Sequence, residues 1–467
     1  MRRTKQIQAV LAALAAAAVL MGTGGCSLIF GAVRGTHSTA SRPTASAVPG
    51  TRQAGGNSDR EDVRGIERIA ENIFYGSDPT ETVAAATPSS KYKALRANHN
   101  YECLPSKASK DLYQAIDASI HQIVAKQSPS GGYPIKLVKI GGKLPEAEIR
   151  AAIAAYRNDN PQIFWLANGY SYQTRGGNTL LQLYSNLSPQ ECRTAISKLN
   201  EAVSSAMASM PSGLNEFDRE ERLFDFVTGH CFYDDAATAG KTRWEDFCSY
   251  GALVDGRTVC EGYARGMQLL AQYAGIDCGL VNGESGGVGH MWNVIRIGGA
   301  WYHIDVTWCD NPEDSDESRV TYNYFNVPDS VVEKTHNIDP SFSSLKESSI
   351  NDEHQQFNLF LPACSATKEN YFQVRGIPVA EPAKTKDAAV VRSLATELKQ
   401  EKKMIPFYIS GNFDAIVPGI TISSPYRLSE WLKEAQKLSG KSIVADQTSF
   451  LEDGDDKGLM IFIKYRK

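Results

Sequence analysis

Three side chains in this sequence could together perform nucleophilic chemistry: Cys260, His290 and Asp305. A thiol becomes a strong nucleophile once it loses its proton, an imidazole can take that proton, and a carboxylate on the far ring nitrogen fixes the tautomer that does so. Around the cysteine, Asp255-Gly256 marks a turn, Ala264, Met267, Leu270, Ala271 and Ala274 recur at helical spacing, and Gly275 supplies a stop. Thr258 and Glu261 have the spacing of a capping box, which predicts Thr258 at the N-cap and Cys260 in the first helical turn. Unpaired backbone N–H groups and the positive end of the helix dipole there favour a thiolate.

The other two members fall in a predicted hairpin. Two β-rich runs flank Gly298-Gly299, a two-residue loop, so Ile297 should face Ala300 and His290 should face Thr307. His290 and Asp305 are then diagonal neighbours on one face. An aspartate inside a Trp/Tyr/Ile/Val strand needs a partner when buried, and a histidine is a good one. His303, on the same face, is an alternative base or a residue lining the site. Asp310 is an alternative acid, although Asn311, Pro312 and Glu313 beside it read as a solvated loop. Tyr250, Tyr263 and Trp292 are candidates for lining a substrate cleft, with ordinary core packing as the competing role.

The runs Val259-Cys-Glu-Gly-Tyr-Ala264, Gly289-His-Met-Trp-Asn-Val294 and Trp301-Tyr-His-Ile-Asp-Val-Thr-Trp308, in that order, resemble the Cys, His and Asp motifs of the bacterial transglutaminase-like superfamily. Tyr322-Asn-Tyr-Phe-Asn326 and Asn160-Pro-Gln-Ile-Phe-Trp165 are similar to segments of its exported members. The strong likeness covers roughly residues 245 to 330. Met291 and Cys309 depart from the pattern, where alanine and aspartate are frequent, and neither is one of the three. The resemblance implies a papain-like α+β fold with Cys260 as nucleophile, His290 as general base and acid, and Asp305 as its orienting residue. It also implies acyl transfer on protein or peptide amides through a thioester, ending in cross-linking if an amine resolves it or in hydrolysis if water does. A non-catalytic surface binding or assembly module that retains the fold is the alternative from another class.

No cofactor or metal is expected. The sequence has no CxxC pair, no Cys/His cluster at zinc spacing, no EF-hand loop and no glycine-rich phosphate loop, and Asp310 to Glu317 reads as solvent-facing. A net charge of -4, with 42% hydrophobic and 22% charged residues, gives no reason to invoke nucleic acid.

The 467 residues are too many for one growing core. Arg2, Arg3 and Lys5 precede an apolar run from Ile7 to Met21, about 15 residues and short of a bilayer span, in the pattern of a secretory signal. Cys26-Ser27 after Gly24-Gly25 resembles a bacterial lipoprotein cleavage site, with Thr23 where leucine is usual. That implies lipidation of Cys26 and an anchor on the outer face of the cell membrane, with secretion as the alternative. The reading along the chain is a signal over 1–26, a disordered Ser/Thr/Ala/Gly/Pro-rich linker over 27–60, a mostly helical α+β domain over 61–215 and the chemistry-bearing core over 216–340. A linker over 341–367 and a small α+β domain over 368–467 complete it. Of nine cysteines, seven remain after Cys26 and Cys260, an odd number that leaves disulfide pairing open.

Overall fold

The computed structural model describes residues 74–129, 131–238, 240–310, 320–346, 356–380, 387–421, 427–444 and 449–466. The signal, Cys26, the 27–60 linker and Asn311 to Glu317 lie outside the described residues. Helices and sheets alternate in an α+β arrangement.

The first third contains α1 (Lys107–Ser119), β1 (Val138–Gly141), α2 (Glu146–Asp159), the hairpin of β2 (Leu166–Arg175) and β3 (Asn178–Ser185), and α3 (Pro189–Ser209). Gly176 and Gly177 turn the hairpin with φ of 58° and 75°, a region open to glycine at little cost. Helical spacing over Asp111 to Ala125 predicts a longer helix than forms. Ser106 caps α1 reciprocally with Ser109, and α1 ends at Ser119 because Gln122–Val124 pairs as a strand with Thr80–Thr82. The aromatic, β-rich run Gln162 to Leu166 predicts a strand, but residues 162–165 form turns, and buried Trp165 donates its indole N–H to the Ile120 carbonyl at 3.3 Å.

The central block contains α4 (Glu216–His230), α5 (Cys260–Tyr273), β4 (Asp277–Ser285), β5 (Val288–Ile297), β6 (Ala300–Ile304), the one-turn α6 (Val306–Cys309), β7 (Phe325–Val327) and β8 (His336–Ile338). Its strands form one antiparallel sheet in the order β7-β6-β5-β4-β8. Helix α5 is fixed to that sheet by Asn293, whose Nδ2 donates to Ala264 O at 3.0 Å and Gly279 O at 3.1 Å.

A polar row on α5 also ties it to the first third. Arg265 and Gln268 donate to the Arg157 and Asn158 carbonyls at 3.0 and 2.7 Å, and Gln272 reaches the Asp159 carbonyl at 3.4 Å. These carbonyls end α2 and have no partner within their own helix. Glu261 completes the row by accepting from Arg265 Nε at 2.8 Å. One apolar cluster accordingly runs from Val83 through Ile149 and Leu199 to Met267 and Phe325.

The last part holds β9 (Ile377–Val379), α7 (Asp387–Lys399), β10 (Met404–Ile409), α8 (Arg427–Ser439), β11 (Ser449–Asp453) and β12 (Gly458–Phe462), with sheet order β9-β10-β12-β11 and its own core around Leu394, Phe407 and Trp431. Arg375 braces α4 through ion pairs with Asp218 and Glu221. The eight described cysteines are all free thiols.

Candidate active site

Cys260 is the first residue of α5, and the N-cap is Val259. The predicted capping box does not form. Thr258 pairs with Tyr233 in a short parallel ladder, and its hydroxyl donates to the Asp246 carbonyl at 2.7 Å. Val259 has no side-chain oxygen, so the first-turn N–H groups receive no side-chain cap. Gly262 permits this packing. A Cβ there would stand 1.7 Å from Thr258 Oγ1 and 3.0 Å from Asp246 O. Gly262→Ala is therefore expected to lose about 1–3 kcal/mol in chemical denaturation and to displace the Cys260 turn.

The hairpin register is as predicted up to a point: Ile297 faces Ala300 and Asn293 faces Ile304. There the ladder stops. Asp305 leaves the sheet to become the N-cap of α6, its Oδ1 accepting from Trp308 N at 3.0 Å, so His290 has no partner at Thr307. Its side chain nevertheless meets the histidine, with His290 Nε2 2.6 Å from Asp305 Oδ2. The remaining nitrogen, Nδ1, is the one left to meet Cys260, whose side chain hydrogen-bonds to His290. Cys260, His290 and Asp305 are 4%, 5% and 1% exposed.

A residue not foreseen in the sequence completes the cluster. His336 Nε2 lies 3.0 Å from the same Asp305 Oδ2, and its Nδ1 is 2.8 Å from Thr335 Oγ1, which in turn bonds the Tyr324 hydroxyl at 2.9 Å. The signal that could have located it is a histidine shortly after Tyr322-Asn-Tyr-Phe-Asn326, within reach of an edge strand.

Burial works against a charge on His290, but the adjacent Asp305 carboxylate and its hydrogen bonds to Asp305 and Cys260 outweigh it and push the imidazole up to about 10. For Asp305, burial favours the neutral acid, yet His290 and the His290 and His336 hydrogen bonds hold the carboxyl well below the usual range. The stabilising charge on His290 is complete below its ordinary value of 6.5 and disappears as pH rises through about 10. Urea unfolding is thus expected to show stability falling by up to several kcal/mol across that alkaline window, at ~1.4 kcal/mol per unit. Asp305→Asn should flatten that slope.

The other anticipated residues are placed differently. His303 is fully buried and does not face a cleft: its Nδ1 accepts from Trp292 Nε1 at 3.0 Å and its Nε2 is 2.8 Å from Asp329 Oδ1. Trp292 is buried too, a wall rather than an open lining, stacked on His290 at 5.8 Å and edge-on to His336 at 4.9 Å. Tyr263 is buried with its hydroxyl donating to Asp310 at 2.8 Å, and Tyr250 packs with Phe164 and Trp244. Asp310 is half-buried, and burial lifts its carboxyl to about 6 against the Tyr263 hydrogen bond. Trp308, partly exposed, borders the cluster 6.4 Å from His290 and 5.1 Å from His336.

Two groups among the described residues have ligand atoms close enough for a metal: His290, Asp305 and His336, and His303, Asp329 and Cys364. An indole N–H only donates, so His303 Nδ1 carries a lone pair and Nε2 carries the proton. That tautomer cannot ligate through Nε2. In the first group both imidazoles converge on one carboxylate oxygen at hydrogen-bond distance, an arrangement of donors and acceptor.

A thiol at a helix start, facing an imidazole that an aspartate holds from an antiparallel sheet, defines a papain-like α+β thiol site. Residues 205–306 match the transglutaminase-like superfamily, so this part of the chain is a transglutaminase-like domain. Two curated relatives match at comparable strength. Kyphoscoliosis peptidase of Mus musculus is 29% identical over 157 residues, 31% of this chain and 23% of that protein, and its Homo sapiens counterpart is 30% identical over 143 residues, 28% and 21%. The chain thus matches less than a quarter of those relatives' length. A solved TGase structure aligns with 40% of this chain and 54% of its own at 16% identity and a TM-score of 0.24.

Proposed function

We propose that the protein is a thiol enzyme of acyl transfer on protein or peptide amides. Cys260 attacks the amide carbonyl, the first-turn N–H groups of α5 receive the developing oxyanion, and His290 protonates the departing amine. A second nucleophile then releases the acyl group from the Cys260 thioester, an amine giving a cross-link and water giving hydrolysis. The observation that carries this reading is the buried chain from Cys260 through His290 to Asp305, with His290 positioned to hold a proton opposite the sulfur. The superfamily match supports the class, and the name of the matched relatives favours testing the hydrolytic branch first. We place the enzyme at the cell surface on the strength of the Ile7 to Met21 run and Cys26, with a protein or peptide of the cell surface or cell wall as substrate.

The test is incubation of the full chain with a glutamine-containing peptide and a primary amine donor, read by mass. Incorporation of the amine identifies a transferase and peptide cleavage a peptidase. In parallel, iodoacetamide at neutral pH should label Cys260 ahead of the other thiols. An unchanged peptide together with slow, unselective labelling would overturn the proposal in favour of a binding module.

A further inference from the structure

Asp305 is shared. Its Oδ2 is approached by two imidazole nitrogens, His290 Nε2 at 2.6 Å and His336 Nε2 at 3.0 Å, while Oδ1 accepts the Trp308 N–H. His336 has no freedom to drift from that oxygen. It is 1% exposed, ringed by Trp292, Trp308 and Tyr324 at 4.9, 5.1 and 5.2 Å, and its other nitrogen is taken by Thr335. It comes from β8, the edge strand beyond β4.

We propose that His336 is a positioning residue of the thiol site, fixing Asp305 and, by sharing Oδ2, setting how strongly that carboxylate holds the proton of His290. The proposal rests on the thiol chemistry above and adds a fourth residue to it. An N–H donor on a carboxylate spreads the oxygen's charge and makes it a weaker acceptor for any second donor. With His336 in place, Asp305 orients His290 through Nε2 without raising the proton affinity of the imidazole so far that the Nδ1 proton cannot pass to a leaving amine. The ionisable groups around this carboxylate are His290, Cys260, Cys309, Tyr324 and His336.

The test measures the rate of Cys260 alkylation by iodoacetamide against pH for the wild type, His336→Gln and His336→Phe. Glutamine keeps an N–H near the place of Nε2, whereas phenylalanine keeps a ring inside the aromatic surround without the donor. The upper limb of the profile, where His290 loses its proton, should move to higher pH by about half a unit or more in His336→Phe and remain near the wild-type position in His336→Gln. An upper limb that moves in neither variant, or equally in both, overturns the proposal. Imidazole nitrogen NMR of the wild type supplies a second check that does not depend on a variant folding: His336 must carry its proton on Nε2, and a proton confined to Nδ1 overturns the proposal. Alkylation requires no peptide, so these outcomes are independent of whether acyl transfer is found. Where turnover is measurable, kcat of His336→Phe should fall about ten- to a hundredfold with little change in KM, the pattern of a lost orienting partner.

Discussion

Cys260→Ala eliminates peptide cleavage and amine incorporation, a loss of about six orders of magnitude or to below detection, while the melting temperature shifts by only a few degrees. Residues that act as a unit in covalent catalysis lose nearly everything when the nucleophile goes, because neither base nor oxyanion donors can substitute for the missing bond. The structural change is small. Alanine keeps the Cβ in the first turn of α5, where Gly262 and Thr258 are in closest contact, and deletes one sulfur beside His290. Mass spectrometry after incubation with substrate should find no adduct on the variant. Retention of activity would move the nucleophile elsewhere and end the present reading of the site.

Asp305→Asn is the second large effect, an expected fall in kcat of about 10⁴-fold at neutral pH. The amide keeps the shape but can present an N–H to His290 Nε2, which turns the imidazole to the tautomer whose Nδ1 already carries a proton and cannot accept one from the sulfur. This variant also loses stability, because His290 is buried and its charge depends on the 2.6 Å contact with Asp305. Breaking a buried pair by removing one partner costs about 3–5 kcal/mol. Rate and stability separate by pH. The stability loss should fade toward pH 10, where His290 sheds its proton in the wild type as well, and the rate defect should persist. Parallel denaturation and kinetic series would distinguish them.

The cluster of Cys260, His290 and Asp305 was legible in the sequence because each member sits in or beside a short local pattern: a helix start for Cys260, and a two-glycine hairpin that carries His290 and leads into Asp305. The hairpin register holds through Ile304 and fails beyond it, since a carboxylate that caps α6 bends the chain out of the sheet. The capping box failed for a tertiary reason. Asp246, twelve residues upstream, takes the Thr258 hydroxyl and leaves Val259 to begin the helix. His336 was hidden because it is 31 residues from Asp305 and joins the site only through the pairing of β8 with β4. The polar row Glu261, Arg265, Gln268 and Gln272 has visible helical spacing, but its partners are the carbonyls that end α2, which no side-chain pattern announces. His303 misled in the opposite direction: it shares a face with His290, yet Trp292 and Asp329 take both of its nitrogens.

The 4% exposure of Cys260 has a bearing on timing. In the proposed reaction the acylated sulfur would sit where bulk solvent has little access, with Trp292 and Trp308 beside the imidazole that must activate the incoming molecule. A thioester sheltered in this way persists until something is admitted to it, so the fate of the acyl group is a competition between entry rates rather than between intrinsic nucleophilicities. The architecture would then choose between joining two chains and cutting one by which acceptor it admits to the buried sulfur.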